Sequence, residues 1–149
     1  MRLAQKAATL AGLGLVASAL TGCAGDAQAS YCESVEEQAP QLAKTFDVGG
    51  AQQGLLDALP VLEDLAGEAP DDVAGDWRTL LDALTGLQDV LETAGLEPGE
   101  VDGKLPEDLP AADRKALEAA SVRLASPETV EAANAVDQHA RDVCHLPLF

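Results

Sequence analysis

Residues 73–95 read VAGDWRTLLDALTGLQDVLETAG, the longest regular hydrophobic repeat in this chain of 149 residues. The large apolar residues of the repeat recur at alternating steps of four and three: Val73, Trp77, Leu80, Leu84, Leu87 and Leu91. This spacing puts them on one face of an α-helix, as in helix bundles. Gly95 can end the helix. We therefore predict a central helix over 73–95 that buries this leucine seam.

The sequence before the repeat predicts two more helices. The first begins near Ser30, which can cap it together with Glu33, is bent by Pro40, and ends at residues 47–50. Pro60 splits or bends the second helix, which ends near Gly67. The inner faces are Tyr31, Val35, Leu42 and Phe46 in the first helix, and Leu55, Leu59, Leu62 and Ala66 in the second.

The sequence after the repeat predicts an acidic loop over 96–109 and two further helices. The loop either crosses the bundle or leads into a short, peripheral fourth helix over 110–125. Ser126 caps the last helix and Pro127 opens it. The expected inner faces are Leu117, Ala120 and Leu124 in the fourth helix, and Val130, Ala133, Val136 or Asp137, Ala140 and Val143 in the last.

The predicted fold class is therefore all-α. No stretch alternates apolar and polar residues as a strand would, and isoleucine is absent from the chain. We expect a four- to five-helix bundle, closed by a disulfide between the ends of the mature domain.

The start of the chain resembles a bacterial lipoprotein precursor. Arg2 and Lys6 precede an apolar run over 10–20, which is followed by Leu20-Thr21-Gly22-Cys23, similar to a lipobox. This pattern predicts a signal peptide over 1–22, lipidation of Cys23, a flexible tether over 23–29 and a bundle domain over 30–149. The alternative is an ordinary secretory signal with a chance cysteine.

The remaining cysteines, Cys32 and Cys144, lie near the two ends of the mature domain. Outside the cytoplasm such a pair usually forms a disulfide. Free thiols or a metal pair are the alternatives, although no second Cys or His cluster completes a zinc site. We expect no metal site and no cofactor.

Removal of residues 1–22 leaves seven basic and 26 acidic residues, a net charge of −19. Nucleic acid is a poor partner for such a surface, because its binding needs clustered Lys and Arg. Anionic membranes also repel the domain, so we expect the N-terminal lipid to hold it on the outer face of the cell membrane.

Catalytic motifs are missing from the sequence. It has no Gly-x-Ser-x-Gly and no His-Glu-x-x-His, and we interpret His139 and His145 as surface or helix-end residues. A calcium loop centred on Gly103 fails, because Pro98 and Leu109 would fall at ligand positions. We therefore predict that the protein is not an enzyme.

Several segments resemble a broad group of small, uncharacterised actinobacterial lipoproteins. The matching parts are the lipobox, Tyr31-Cys32 with Val35, the stretch 65–70 leading to Asp76-Trp77, and residues 132–133 through Val143-Cys144. The resemblance implies an extracytoplasmic helical bundle with paired terminal cysteines, and it implies no activity.

Two functions follow as expectations. The first is a non-catalytic binding or adaptor module of the cell envelope, whose partner is an unknown envelope protein or small ligand. The alternative is an accessory ligand or cation carrier for an envelope transporter or enzyme. A pocket with convergent polar groups favours the carrier, whereas an exposed apolar patch favours the adaptor.

Overall fold

The computed structural model describes residues 22–101 and 105–149, and it confirms the all-α fold with about five packed helices. The helices are α1 (Gly22–Asp57), α2 (Leu59–Gly67), α3 (Ala74–Ala94), α4 (Ala111–Leu124) and α5 (Pro127–His139). A short 3₁₀ turn, Pro98–Val101, follows α3, and a π-helical turn, Ala140–Cys144, follows α5.

Helix α3 is the centre of the bundle, as predicted. It packs against α2, α4 and α5 and also contacts α1. All six residues of the predicted seam are buried. Gly95 ends the helix in the left-handed conformation, with φ 68°, and the Leu96 amide donates to the Leu91 carbonyl at 3.0 Å. This is the glycine-dependent helix ending that the sequence suggested.

Helix α1 begins earlier than predicted. It starts at Gly22, so Ser30 lies within the helix and does not cap it. The segment predicted as a tether, 23–29, belongs to this helix. Three of the six residues 24–29 are alanine, the best helix former. A packed helix can therefore extend into an exposed segment that has no apolar pattern. The first buried side chain is Tyr31.

The chain turns back on itself inside α1. A Cβ placed on Gly54 would lie 2.7 Å from Cδ1 and 3.2 Å from Cα of Phe46. In a straight helix, residues eight apart are separated by about 12 Å. The residues beyond the predicted end at 47–50 are thus still helical, but the chain reverses direction between Phe46 and Gly54. The glycine at position 54 permits this close approach.

Pro60 separates α2 from α1. Asp57 is the last residue of α1, and Pro60 lies in the first turn of α2, where its missing N–H costs no helical hydrogen bond. Leu59, Leu62 and Leu65 are buried. The predicted split at Pro60 and the predicted end at Gly67 are both confirmed.

Helices α4 and α5 match their predicted ranges closely. Helix α4 packs mainly on α3 and buries only Leu117 among its residues, which fits the peripheral alternative. Ser126 caps α5, because its Oγ accepts from the Thr129 amide at 3.3 Å. The predicted inner face of α5 is wrong at Val130, which is 48% exposed. The buried positions of this segment are Thr129, Ala132, Val136 and Ala140, of which Val136 and Ala140 were predicted and belong to the core cluster.

The predicted disulfide is present. Cys32 and Cys144 are bonded, with their Cα atoms 5.0 Å apart, and the bond ties α1 to the π-helical turn after α5. At the same end of the bundle, the Trp77 indole N–H donates to the Tyr31 hydroxyl at 3.1 Å. Burial raises the pKa of Tyr31 above its ordinary value, and the hydrogen bond from Trp77 only partly offsets this.

Within residues 22–101 and 105–149, no helix combines the length and the apolarity needed to cross a membrane. The predicted signal peptide, up to residue 21, lies outside the described residues.

Candidate functional site: an apolar groove beside α5

An apolar groove of about 480 Å³ opens on the surface between α1, α3 and α5. We call it the apolar groove and define it by its lining residues: Phe46, Leu55, Leu80, Ala133, Asn134, Asp137 and Phe149. Its volume lies in the range of small-molecule sites. Its walls, mostly apolar with a few polar groups, are also typical of such sites. It is the strongest candidate for a binding site in the described part of the chain.

The reversal within α1 builds one wall of the groove. Because the chain turns back between Phe46 and Gly54, the Phe46 ring and the Leu55 side chain line the same cavity. Leu80 from the α3 seam and Ala133 from α5 also line the groove. The small side chain of Ala133 leaves space that a larger residue at this position would fill.

Residues 145–149 close another side of the groove. The π-helical turn ends at His145, which takes the left-handed conformation with φ 60° and turns the chain back along α5. Leu148 then inserts into the core and is 3% exposed. The Phe149 ring packs edge-on against Phe46, with ring centroids 5.8 Å apart, and remains 41% exposed.

Asp137 holds this segment in place. Its Oδ1 accepts from the backbone N–H groups of Leu148 at 2.8 Å and Phe149 at 3.2 Å. Its Oδ2 accepts from Arg141 Nε at 2.6 Å, and Arg141 Nη2 donates to the Phe149 carbonyl at 3.2 Å. We call these four hydrogen bonds the Asp137 clamp.

The clamp changes the acidity of Asp137. Partial burial alone would raise the pKa of this carboxyl group. The hydrogen bonds from Arg141 and from the amides of Leu148 and Phe149 outweigh burial, so the pKa lies below its ordinary value. Asp137 is therefore ionised at neutral pH, and its charge is matched by Arg141.

The groove offers no basic side chain to an anionic ligand. None of its seven lining residues is Lys, Arg or His, and Asp137 is its one charged member. Arg141 is already engaged by the Asp137 carboxylate and the Phe149 carbonyl. The net charge of the chain, −17, further disfavours anions.

The two histidines differ from one another. His145 is exposed at a helix end, as predicted. His139 is the last residue of α5, which agrees with the predicted helix-end position, but it is not a surface residue, because its side chain is only 12% exposed. Its ring lies 5.8 Å from that of Tyr31, its Nδ1 lies 3.7 Å from Asp72 Oδ2, and its buried Nε2 has no hydrogen-bond partner within the described residues. The Cys32–Cys144 disulfide joins α1 to the turn that directly follows His139.

The other predicted sites lie away from the groove. Cys23 lies in the first turn of α1, and its lipidation stays a prediction. Asp102 and Gly103 of the acidic loop lie outside the described residues. Glu100 accepts from the Glu97 amide at 2.8 Å and so stabilises the 3₁₀ turn. The described residues contain no group of three or more His, Cys, Asp or Glu side chains that could hold a metal ion.

Sequence reasoning missed the groove because its residues come from four separate parts of the chain. The helical pattern gives Asp137 only as an alternative inner-face position, and it gives no role to Phe149. One signal was available: a run of Leu, Pro, Leu and Phe after Cys144 is too apolar for a solvated tail.

Comparisons with known proteins found no matching family, no matching curated protein and no matching solved structure.

Proposed function

We propose that this protein is a lipid-anchored, extracytoplasmic binding protein that carries a small, uncharged or cationic apolar ligand in the apolar groove. The observation that carries the proposal is the cavity of about 480 Å³ with mostly apolar walls. Filling it removes apolar surface of both groove and ligand from water, which favours binding.

Two features favour a carrier over a protein adaptor. The groove combines apolar walls with Asn134 and Asp137, the polar groups expected of a ligand site. The large apolar side chains that are exposed in the described residues do not fall on one helix. They lie on α1, α4, α5 and the segment after Cys144: Val48, Val122, Val130 and Phe149.

The proposal is non-catalytic. The one titratable side chain of the groove, Asp137, is occupied by the clamp and is not free to act as a base on a bound molecule. The location is also proposed. It is supported by the lipobox-like segment before Cys23, the likeness to actinobacterial lipoproteins, and a disulfide of the kind that persists outside the cytoplasm.

The ligand proposal is tested by direct binding. The full chain carrying Cys23→Ala lacks the predicted lipid acceptor, and binding is measured without detergent, which would itself occupy an apolar groove. Calorimetry and native mass spectrometry with n-decanol, n-decylamine and n-decanoate compare three head groups on one alkyl chain. We expect the alcohol and the amine to bind with 1:1 stoichiometry, and the carboxylate to bind at least tenfold more weakly.

A pair of variants assigns the site. Ala133→Phe fills the groove and should abolish binding of n-decanol. Ala119→Phe, at an exposed position of α4 outside the groove, should leave binding unchanged. Equal affinity in both variants would refute the groove as the ligand site. No binding by the parent chain would refute the carrier function.

The anchor is tested separately in cells. Cys23→Ala should release the protein from the membrane fraction or stall its processing, because two or more acyl chains are needed for firm attachment. Mass spectrometry of the parent protein should show an acylated Cys23 at the mature N-terminus. An unmodified, freely secreted mature protein would contradict this proposal.

A further inference from the structure

We infer that Phe149 sets the length of ligand that the groove accepts, and that Asp137 is its positioning residue. This inference rests on the proposed function, because it concerns the selectivity of the same groove. Its basis is that one wall of the cavity belongs to a segment that is held by two distinct anchors.

The first anchor is apolar. Leu148 is 3% exposed and belongs to the buried core, and Leu146 also packs against that core. The second anchor is the Asp137 clamp, which fixes the backbone at Leu148 and Phe149. Neither anchor involves the side chain of Phe149: the first holds Leu146 and Leu148, and the second holds the backbone of Leu148 and Phe149.

The Phe149 side chain lies beyond both anchors. Its ring lines the cavity and contacts Phe46 edge-on, yet 41% of the residue is exposed. The backbone position of this wall is therefore fixed, while the ring is the part of the wall that meets a ligand. Since this exposed ring is one of the groups that line the groove, the size of residue 149 determines how far the cavity extends.

Asp137 acts on the ligand through Phe149. Its Oδ1 receives both backbone N–H groups, and Arg141 bridges its Oδ2 to the Phe149 carbonyl. An asparagine at 137 keeps a carbonyl oxygen for the amides but loses the charge that Arg141 pairs with. The ring would then be held less firmly, and the upper limit on ligand length would be less sharp.

A series of n-alkanols tests this assignment on the full chain carrying Cys23→Ala. In the parent chain we expect affinity to rise with each added methylene and then to stop rising at a definite length. Phe149→Ala should move this limit to longer chains, with a further gain of about fourfold per methylene. Val130→Ala removes exposed apolar surface on α5 outside the groove and should leave the limit unchanged.

Asp137→Asn separates positioning from general stability. We expect near-parental affinity for short alkanols and reduced discrimination between chains just below and just above the limit. A purely structural role would lower the melting temperature without changing the length profile. An unchanged limit in Phe149→Ala would overturn the inference while leaving the proposed function intact. Failure of the parent chain to bind any alkanol would refute the proposed function itself.

Discussion

Asp137 illustrates how one side chain can give a structure to an otherwise irregular segment. The five residues after Cys144 form no helix, and their backbone groups need partners elsewhere. A single carboxylate supplies two of these partners and an arginine supplies a third. This arrangement depends on backbone amides meeting a side chain 11 or 12 residues earlier, which no sequence pattern records.

The contribution of Asp137 to stability should depend on pH. Its pKa is lower in the folded protein than in the unfolded chain. Its stabilising effect is therefore present above the unfolded value of about 3.9, and it is lost as the pH falls through the lower folded value. We expect Asp137→Asn to lower the melting temperature at pH 7, and this effect should diminish progressively as the pH falls below the unfolded value. A constant difference between the two proteins from pH 7 to pH 2.5 would contradict this explanation.

The Tyr31 hydroxyl is the partner of the Trp77 indole within the core. Tyr31→Phe keeps the ring but leaves a buried N–H without this acceptor, which should destabilise the fold by about 1–3 kcal/mol. Chemical denaturation measures the change. As a control, Thr79→Val removes an exposed hydroxyl that bonds within its own helix, and it should have a much smaller effect.

At the scale of the elements, the sequence was informative where burial fell on one face of a long helix. The α3 seam and its ending at Gly95 are such a case. Prediction failed at the start of α1, because exposed alanines carry no apolar pattern. It failed again on α5, where Val130 is larger than the alanines but points outward. The groove could not be predicted, because it depends on the reversal within α1 and on the clamp.

The α3 seam should dominate the stability of the bundle. Leu84→Ala removes a side chain with no exposed surface and should cost about 2–5 kcal/mol. Asp82→Ala changes an exposed residue two positions earlier and should cost less than about 0.5 kcal/mol. Urea unfolding of both variants gives the comparison. Similar losses of stability would mean that the seam is not the core.

For the whole molecule, the disulfide joins residues separated by 112 positions. A loop of this length limits the unfolded ensemble, and the chain-entropy argument gives at most about 4–5 kcal/mol of stability. Double replacement, Cys32→Ala with Cys144→Ala, should therefore lower the free energy of unfolding by up to this amount. A reducing agent should shift the unfolding of the parent chain and should not shift that of the double variant. An equal shift of the unfolding transition in the parent chain and in the double variant would show that the disulfide is not the cause of the shift.

The helical start of α1 determines how high the groove would stand above the bilayer. With Cys23 as the membrane anchor, the helical path to Phe46 rises about 35 Å at 1.5 Å per residue. This is about the thickness of the hydrocarbon core of a membrane. Repulsion between the acidic chain and anionic lipids would oppose a flat orientation of the helix. At that height the proposed groove would be out of reach of alkyl chains still embedded in the bilayer, and a ligand would have to arrive through water or from a second protein.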